Sequence, residues 1–411
     1  MLYTCRPIVI DVGSFSIKAG YAQGPPFVPS IVVPTPGNGI FGDKKGNPLV
    51  DPRGVVHSEA FNSGEMVEIW RSVFERLGTT PEKHNATGGG VLLCTSWHAP
   101  KESMPAGMIA EAMFETLGVQ KLYLSCKSAL ALHAHGLVEG VAVNCGHSGI
   151  NIYSVAKDWL GPPRNSSAEA NSAQISGGAR DIIAKLAHSF ELPMHHACDF
   201  MKQHCFVPLD FMAPWQPESD ADELTFQPNT FDFDTSTLDP IVVGPGDFRR
   251  KYLYLHSEAL FRDVNIGHTN EGLSSHITRQ QYVRQMAEAA AQGVTNPPQP
   301  GVVLTAASKI ECNIVLSGGL SNLTGLKERI EQDIEARYPC GSESTLQVEV
   351  SKSERPEFDV WKGGALLALA LTDDEWYTRS TYEEYGPEPL LSRGRSHLRP
   401  RGGAPQDGYE F

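Results

Sequence analysis

Ile8-Val9-Ile10-Asp11-Val12-Gly13-Ser14-Phe15-Ser16-Ile17-Lys18-Ala19-Gly20-Tyr21 runs from an apolar stretch through a polar, glycine-bearing turn into a second apolar stretch. That order predicts strand, tight turn, strand: a β-hairpin. The pattern recurs about 133 residues further on. There Gly140-Val141-Ala142-Val143-Asn144 leads through Cys145-Gly146-His147-Ser148-Gly149 into Ile150-Asn151-Ile152-Tyr153-Ser154-Val155. A third apolar strand, Ile314-Val315-Leu316-Ser317, ends on Gly318-Gly319. Two hairpins of one design predict a duplicated α/β architecture. Each half is a mixed sheet flanked by helices, with a cleft between the halves.

The intervening segments fit this plan. Glu65 to Leu77 carries Met66, Ile69, Trp70, Phe74 and Leu77 on one helical stripe. Pro105 to Leu117, Ser128 to His135 and Leu323 to Ala336 also read as helices, and Gly90 to Cys94 and Leu122 to Leu124 as strands. Gly/Pro-rich or polar stretches interrupt the pattern at Pro34 to Gly54, Lys157 to Ala173, Gln292 to Gly301 and from Gly386 onward.

A chain of 411 residues can bury one or two full cores without staples. Its 34 basic and 48 acidic side chains give a net charge of −14, which gives the surface as a whole no footprint for nucleic acid or anionic membrane. The longest apolar run, Ala365 to Leu371, is far shorter than a membrane span. Arg6, Pro7 and Asp11 stand where a signal peptide would be apolar, and none of the eight cysteines forms a CxxC pair. Reduced thiols in a cytosolic or nuclear protein are expected. From Gln203 to Phe248 there is no Lys or Arg but nine acidic residues, interleaved with Trp215, Phe226, Phe231 and Phe233. The segment 207–247 is either a surface loop prone to insertion or a docking surface for a basic partner.

Facing glycine turns can cradle a triphosphate when their backbone N–H groups point inward. Such a site also needs a lysine for phosphate charge, carboxylates for Mg²⁺ and a group that orients the attacking water. The first hairpin offers Asp11, Gly13, Ser14 and Lys18, the second Gly146, and the third turn Gly318 and Gly319. The alternative is a tight hairpin with a polar tip and no ligand.

The chain resembles actin and the actin-related proteins. The resemblance rests on Asp11-Val12-Gly13-Ser14, Lys18-Ala19-Gly20-Tyr21, Val28-Pro29-Ser30-Ile31-Val32 and Met113-Phe114-Glu115-Thr116-Leu117. It continues in Cys205-Phe206-Val207-Pro208-Leu209, Val315-Leu316-Ser317-Gly318-Gly319 and Val360-Trp361-Lys362-Gly363-Gly364-Ala365, then in Trp376 and Tyr382-Glu383-Glu384-Tyr385-Gly386-Pro387. These matches are collinear over nearly the whole chain. They favour actin over the sugar kinases and Hsp70-type chaperones, which share only the hairpins. The resemblance implies the two-domain actin-like α/β fold with a central nucleotide cleft. A small domain would comprise 1–134 and 359–411 and a large one 135–358. ATP or ADP is the cofactor implied, at Asp11, Gly13, Ser14, Lys18, Gly146, Gly318 and Gly319.

The resemblance breaks at the chemistry. Asn144 and His147 match two acidic residues that act on Mg²⁺ and its waters in actin. Lys127 matches the water-orienting Gln and Asn151 the His beside the catalytic water. Lys202 and Met201 match an acidic ribose partner and its neighbouring Lys, and Glu357 matches a basic residue near the adenine. Little or no ATPase activity and a doubtful Mg²⁺ site are implied, although Lys127 and His147 could neutralise phosphate without metal. The stretch from Ile31 to Pro48 is about half as long as the filament-gripping loop of actin, and Asp263 to Ser275 is polar where actin is apolar. Long homopolymeric filaments are therefore not expected. The reading is a non-catalytic structural subunit of a larger cytoskeletal, dynein-associated or ciliary, or chromatin-associated complex, in the cytoplasm and cytoskeleton or alternatively in a cilium or the nucleus. The alternatives are an ATP-binding protein that caps or nucleates filaments and a small-molecule kinase of the same superfamily.

Three further candidates stand outside this pattern. His195, His196, Cys198, His204 and Cys205 are zinc-type ligands, but their spacing fits no common finger. Cys145 beside His147 has poor geometry for a nucleophile and base. The tail Arg393-Gly394-Arg395-Ser396-His397-Leu398-Arg399-Pro400-Arg401, in the flexible stretch 388–411, is either a solvated extension or a contact for an acidic surface.

Overall fold

The computed structural model describes residues 6–34, 63–95, 106–155, 172–175, 177–209, 223–227, 240–244, 247–261, 272–280, 311–337, 347–387 and 390. The expectations for 35–62, 391–411, most of 207–247 and all of 263–271 lie outside the described residues.

Two sheets carry the fold, and they share one plan. In the first, β1 (Ile8–Val12) and β2 (Ser16–Tyr21) form the expected hairpin, with Asp11 opposite Lys18. Then β3 (Ile31–Pro34) adds antiparallel to β2, while β4 (Val91–Thr95) and β5 (Lys121–Cys126) add parallel on the other side of β1. In the second sheet β6 (Gly140–Cys145) and β7 (Ile150–Val155) form the hairpin and β8 (Ser172–Ile175) adds antiparallel. There β11 (Glu311–Ser317) and β12 (Gln347–Lys352) add parallel beyond β6. The strand orders β3-β2-β1-β4-β5 and β8-β7-β6-β11-β12 are the same topology twice. The first sheet has one extra edge strand, β13 (Tyr377–Thr378), and β9 (Leu224–Phe226) pairs with β10 (Ile241–Val243) in a separate ribbon.

Period-two alternation sends each sheet's side chains into two different cores. In the first sheet Ile8, Ile10, Val91 and Leu93 face an outer core with α1 (Ser63–Arg76) and α3 (Ala106–Glu111), separated in sequence by the short α2 (Pro81–Ala86). The expected stripe of Met66, Ile69, Trp70 and Phe74 is buried there. Residues Ala112–Thr116 continue α3 as a turn of π-helix. Phe114 on that turn stacks on Tyr382, whose hydroxyl donates to Glu115 at 2.7 Å. In the second sheet Val141, Val143, Ile314 and Leu316 face the opposite outer core. That core includes α5 (Ala179–Phe190), α6 (Met194–His204), α7 (Tyr252–Glu258), the helical residues 273–280 as α8, and α9 (Leu326–Arg337).

The intervening side chains form a middle layer. Val9 and Leu92 of the first sheet, and Ala142 and Val315 of the second, pack on α4 (Lys127–Ala134) and α10 (Asp359–Ala370). The remaining helix, α11 (Arg379–Tyr385), follows β13. The α4–α10 pair is therefore the hinge layer between the sheets. A Cβ on Gly363 would stand 1.8 Å from the Leu130 carbonyl oxygen, and one on Gly364 would stand 2.8 Å from Val9 Cγ1. The Trp361 indole N–H donates to Val9 O at 3.1 Å. Helix α9 starts three residues later than its apolar spacing predicts, because Gly319–Asn322 form a 3-10 turn and Thr324 bridges to Phe206. Gly325, at φ +79°, lets that contact form close to the Val207 carbonyl.

Gly363→Ala should destabilise the whole chain, by about 3 kcal/mol, the upper end for overpacking, because the added methyl meets the Leu130 backbone, which cannot give way as a side chain can. Denaturant unfolding measures it, and a change within about 0.5 kcal/mol, as for an ordinary surface substitution, would show that the helices do not meet as described.

Candidate functional site

The two hairpin turns face each other across a cleft between the sheets, and the turns are built alike. The Gly13 N–H donates to Ser16 O at 3.1 Å, and the Gly146 N–H donates to Gly149 O at 3.0 Å. A Cβ on either glycine would meet the accepting oxygen at 2.9 Å. The third turn is seated on the second hairpin. Gly318, at φ +89°, lies where a Cβ would stand 2.4 Å from Cys145 O, and its N–H donates to Pro356 O at 2.8 Å. Asp11, Gly13, Ser14, Lys18, Gly146, Gly318 and Gly319 all line this one cleft. Sequence reading expects these amides to face an anion. Those of Gly13, Gly146 and Gly318 instead donate inside the protein, so these glycines are required by close packing of the turns themselves.

Lys127 lines the same cleft. It opens α4, and its ammonium lies 2.9 Å from Asp11 Oδ1 and donates to Val12 O at 2.6 Å. Lys18 reaches the other Asp11 oxygen at 3.5 Å. The three side chains are only 5 to 12 % exposed. Burial alone pushes the Asp11 carboxyl up. The Lys127 and Lys18 ammonium groups outweigh it and hold the carboxyl below its ordinary value.

His147, the other expected neutraliser, is buried at the second turn with its ring 5.3 Å from that of Phe15. Phe15 belongs to the first turn, yet it packs on the core of the second sheet, with Lys202 Nζ 5.6 Å from its ring centre. Sequence reasoning did not single out Phe15, although a bulky aromatic in a Gly-Ser turn was the visible signal. Asn144 and Asn151 sit opposite each other at the end of the second hairpin, and both line the cleft. Across it Glu357 accepts from Asn322 at 3.1 Å and pairs with Arg355 at 3.4 Å.

The donors do not suit a divalent cation of the Mg²⁺ kind, which takes oxygen ligands of net negative charge. The carboxylates of the cleft are Asp11, flanked by two ammonium groups, and Glu357, held by Arg355 and Asn322. Among the described residues no three His, Cys, Asp or Glu side chains converge as a metal site. The cleft holds about 160 Å³, below the roughly 300–1,000 Å³ of small-molecule pockets.

The remaining candidates resolve into packing. Cys145 is fully buried at the end of β6, and burial pushes its thiol up to about 12, against a hydrogen bond with Ser321 that pulls it down. A neutral buried thiol is not a nucleophile at neutral pH. Burial likewise takes the Cys205 thiol to about 12. His195 and His196 lie ring to ring at 4.0 Å, while His204 packs edge-on to Phe226 in the second core. Among the described residues no helix is long and apolar enough to cross a membrane.

Asp11→Asn leaves two ammonium groups buried without their carboxylate, so it should cost about 3 kcal/mol at neutral pH. Because the folded-state pKa is depressed, the carboxylate's stabilisation is present above its unfolded value of about 3.9 and is lost as pH falls below it. Denaturant unfolding of both proteins from pH 7 down to 3 should therefore show the gap narrowing below about pH 4. A gap that stays constant with pH would contradict the ion pair.

The described cleft fits the comparisons with known proteins. The sequence profile of the family described as Actin matches residues 3–160 and 172–394. Actin-like protein 7B of Homo sapiens is 23% identical over 95% of this chain and 89% of its own length. The Macaca fascicularis protein of the same name is 23% identical over 94% and 88%, and that of Rattus norvegicus 22% over 94% and 88%. With a profile match across nearly the whole chain, a topology repeated in two sheets and a glycine-turn cleft between them, this protein is a divergent member of the actin family.

Proposed function

We propose that the chain is a non-catalytic structural member of the actin family. It serves as a subunit of a larger cytoskeletal, dynein-associated or ciliary, or chromatin-associated assembly, and its ATP site is degenerate. The observation that carries this reading is the Lys127 ammonium 2.9 Å from Asp11. Phosphoryl transfer by an actin-type site depends on positioning a water and on neutralising charge with a metal. In this chain a cation of the protein itself sits against the carboxylate of the first turn. Asn151, which lines the cleft and has no basic nitrogen, is the residue that the resemblance matches to the His beside the catalytic water of actin. A kinase reading meets the same obstacle, because the second hairpin turn holds Asn144, Cys145 and His147 and no carboxylate base. A cytoplasmic and cytoskeletal location belongs to this proposal, as does the absence of long homopolymers.

The test is native affinity purification of the full chain, with partner identification and nucleotide extraction from one sample. The expected result is a reproducible, stoichiometric set of co-purifying proteins, and no ATP turnover above that of a heat-inactivated control. Hydrolysis at an actin-like rate that Asp11→Ala abolishes would overturn the non-catalytic reading. Recovery of the chain alone would overturn the subunit reading.

A further inference from the structure

The proposed role leaves open what holds the two sheets together at their cleft. A chain without ATPase activity could still need a bound nucleotide as the bridge. Four observations bear on this. The Phe15 side chain leaves the first turn and packs on the core of the second sheet. Its ring is 5.3 Å from His147 of the second turn, and Lys202 Nζ from α6 is 5.6 Å from its centre. Beneath it Lys127 joins the start of α4 to both Asp11 and the Val12 carbonyl. The third turn is packed directly on the second through Gly318 and Cys145 O.

We infer that the cleft is bridged by the chain's own side chains, with Phe15 spanning from the first turn to His147 and Lys202 and with Lys127 taking the place of a cation beside Asp11, so that the halves stay closed without nucleotide or metal. The chemistry is consistent at each contact. An aromatic pair such as Phe15 and His147 prefers the tilted arrangement found here, an interplanar angle of 60°. A lysine near a ring centre is attracted by the ring's quadrupole. The ammonium of Lys127 satisfies a buried carboxylate and a carbonyl together, and a bound metal would have to displace it from both. Phe15 also takes up room beside the glycine turns, in keeping with the small volume that remains. This inference goes beyond the subunit proposal: closure could fail while assembly membership held, and the reverse.

The test uses the full chain, freed of nucleotide by apyrase and EDTA and then measured with and without millimolar MgATP or inorganic phosphate. For the unaltered protein the melting temperature should change by less than about 2 °C between these conditions, since a ligand that binds only the folded state would raise it by more. A larger rise with MgATP would overturn the inference by revealing a nucleotide bridge, and a larger rise with phosphate alone would do so by revealing an open anion site. The second arm is hydrogen exchange in Phe15→Ala and Phe15→Leu, both of which leave the ion pair in place. Phe15→Ala should speed amide exchange in both turns, Val12–Ser16 and Cys145–Gly149, by about fivefold or more, and Phe15→Leu, which keeps apolar bulk but loses the ring, should speed it in both turns by less. Faster exchange in the first turn alone, or no change in either, would show that Phe15 does not span the cleft. If Phe15→Ala does not fold, the melting temperatures of the unaltered protein and the exchange of Phe15→Leu still decide: exchange raised in both turns supports the span, and exchange unchanged or raised in only one turn overturns it.

Discussion

The fold depends on one close approach, that of α10 to α4 between the two sheets. Both helices are largely apolar and mostly buried, with α10 reaching solvent at its last turn, where Leu369 is half-exposed. Gly363 removes the side chain that would otherwise hold the helix axes apart, Gly364 lets α10 approach Val9, Leu92 and Cys94 of the first sheet, and Trp361 reaches the carbonyl of Val9. Each sheet can thus bury its inner face on the same helix pair. Without this contact Val9, Leu92, Ala142 and Val315 would lose their shared core, and each half would be a sheet covered on one side only. Parallel strands such as β4, β5, β11 and β12 need cover on both faces. The middle layer is therefore what makes the duplicated plan possible at all.

Much of this was legible in the sequence, and for identifiable reasons. The hairpins could be read because their apolar strands and glycine turns are local signals. The α1 stripe could be read because Met66, Ile69, Trp70 and Phe74 follow the helical period. The start of α9 could not, because local propensity is not what sets it: Thr324 and Gly325 are drawn into contact with Phe206 and Val207, far away in the chain. The cysteines and histidines of 195–205 looked like ligands as a list of residue types. Their directions, which only the packed helix fixes, turn several of them into the second core.

The cleft shows the same division more sharply. That Lys127, Asn144, His147 and Asn151 match a water-orienting amide, two acids and a histidine of actin was what the resemblance implied. That Lys127 would be bound to Asp11 was not, since the two are 116 positions apart and meet only because β1, β4 and β5 lie side by side in one sheet. Phe15 was hidden for another reason. A half-buried aromatic at a hairpin tip has no periodic neighbours to announce which core it joins.

Asp11 is the informative survivor. An isolated carboxylate this deeply buried would cost several kcal/mol and would neutralise itself by taking up a proton. Its retention therefore requires a positive partner, whether supplied by a ligand or by the chain. Lys127 and Lys18 supply that partner covalently, without dependence on any concentration in solution. Two ammonium groups against one carboxylate already match its charge. The first residue of α4 thus matches, from within the chain, the charge of an acid on the first hairpin that lies far from it in sequence.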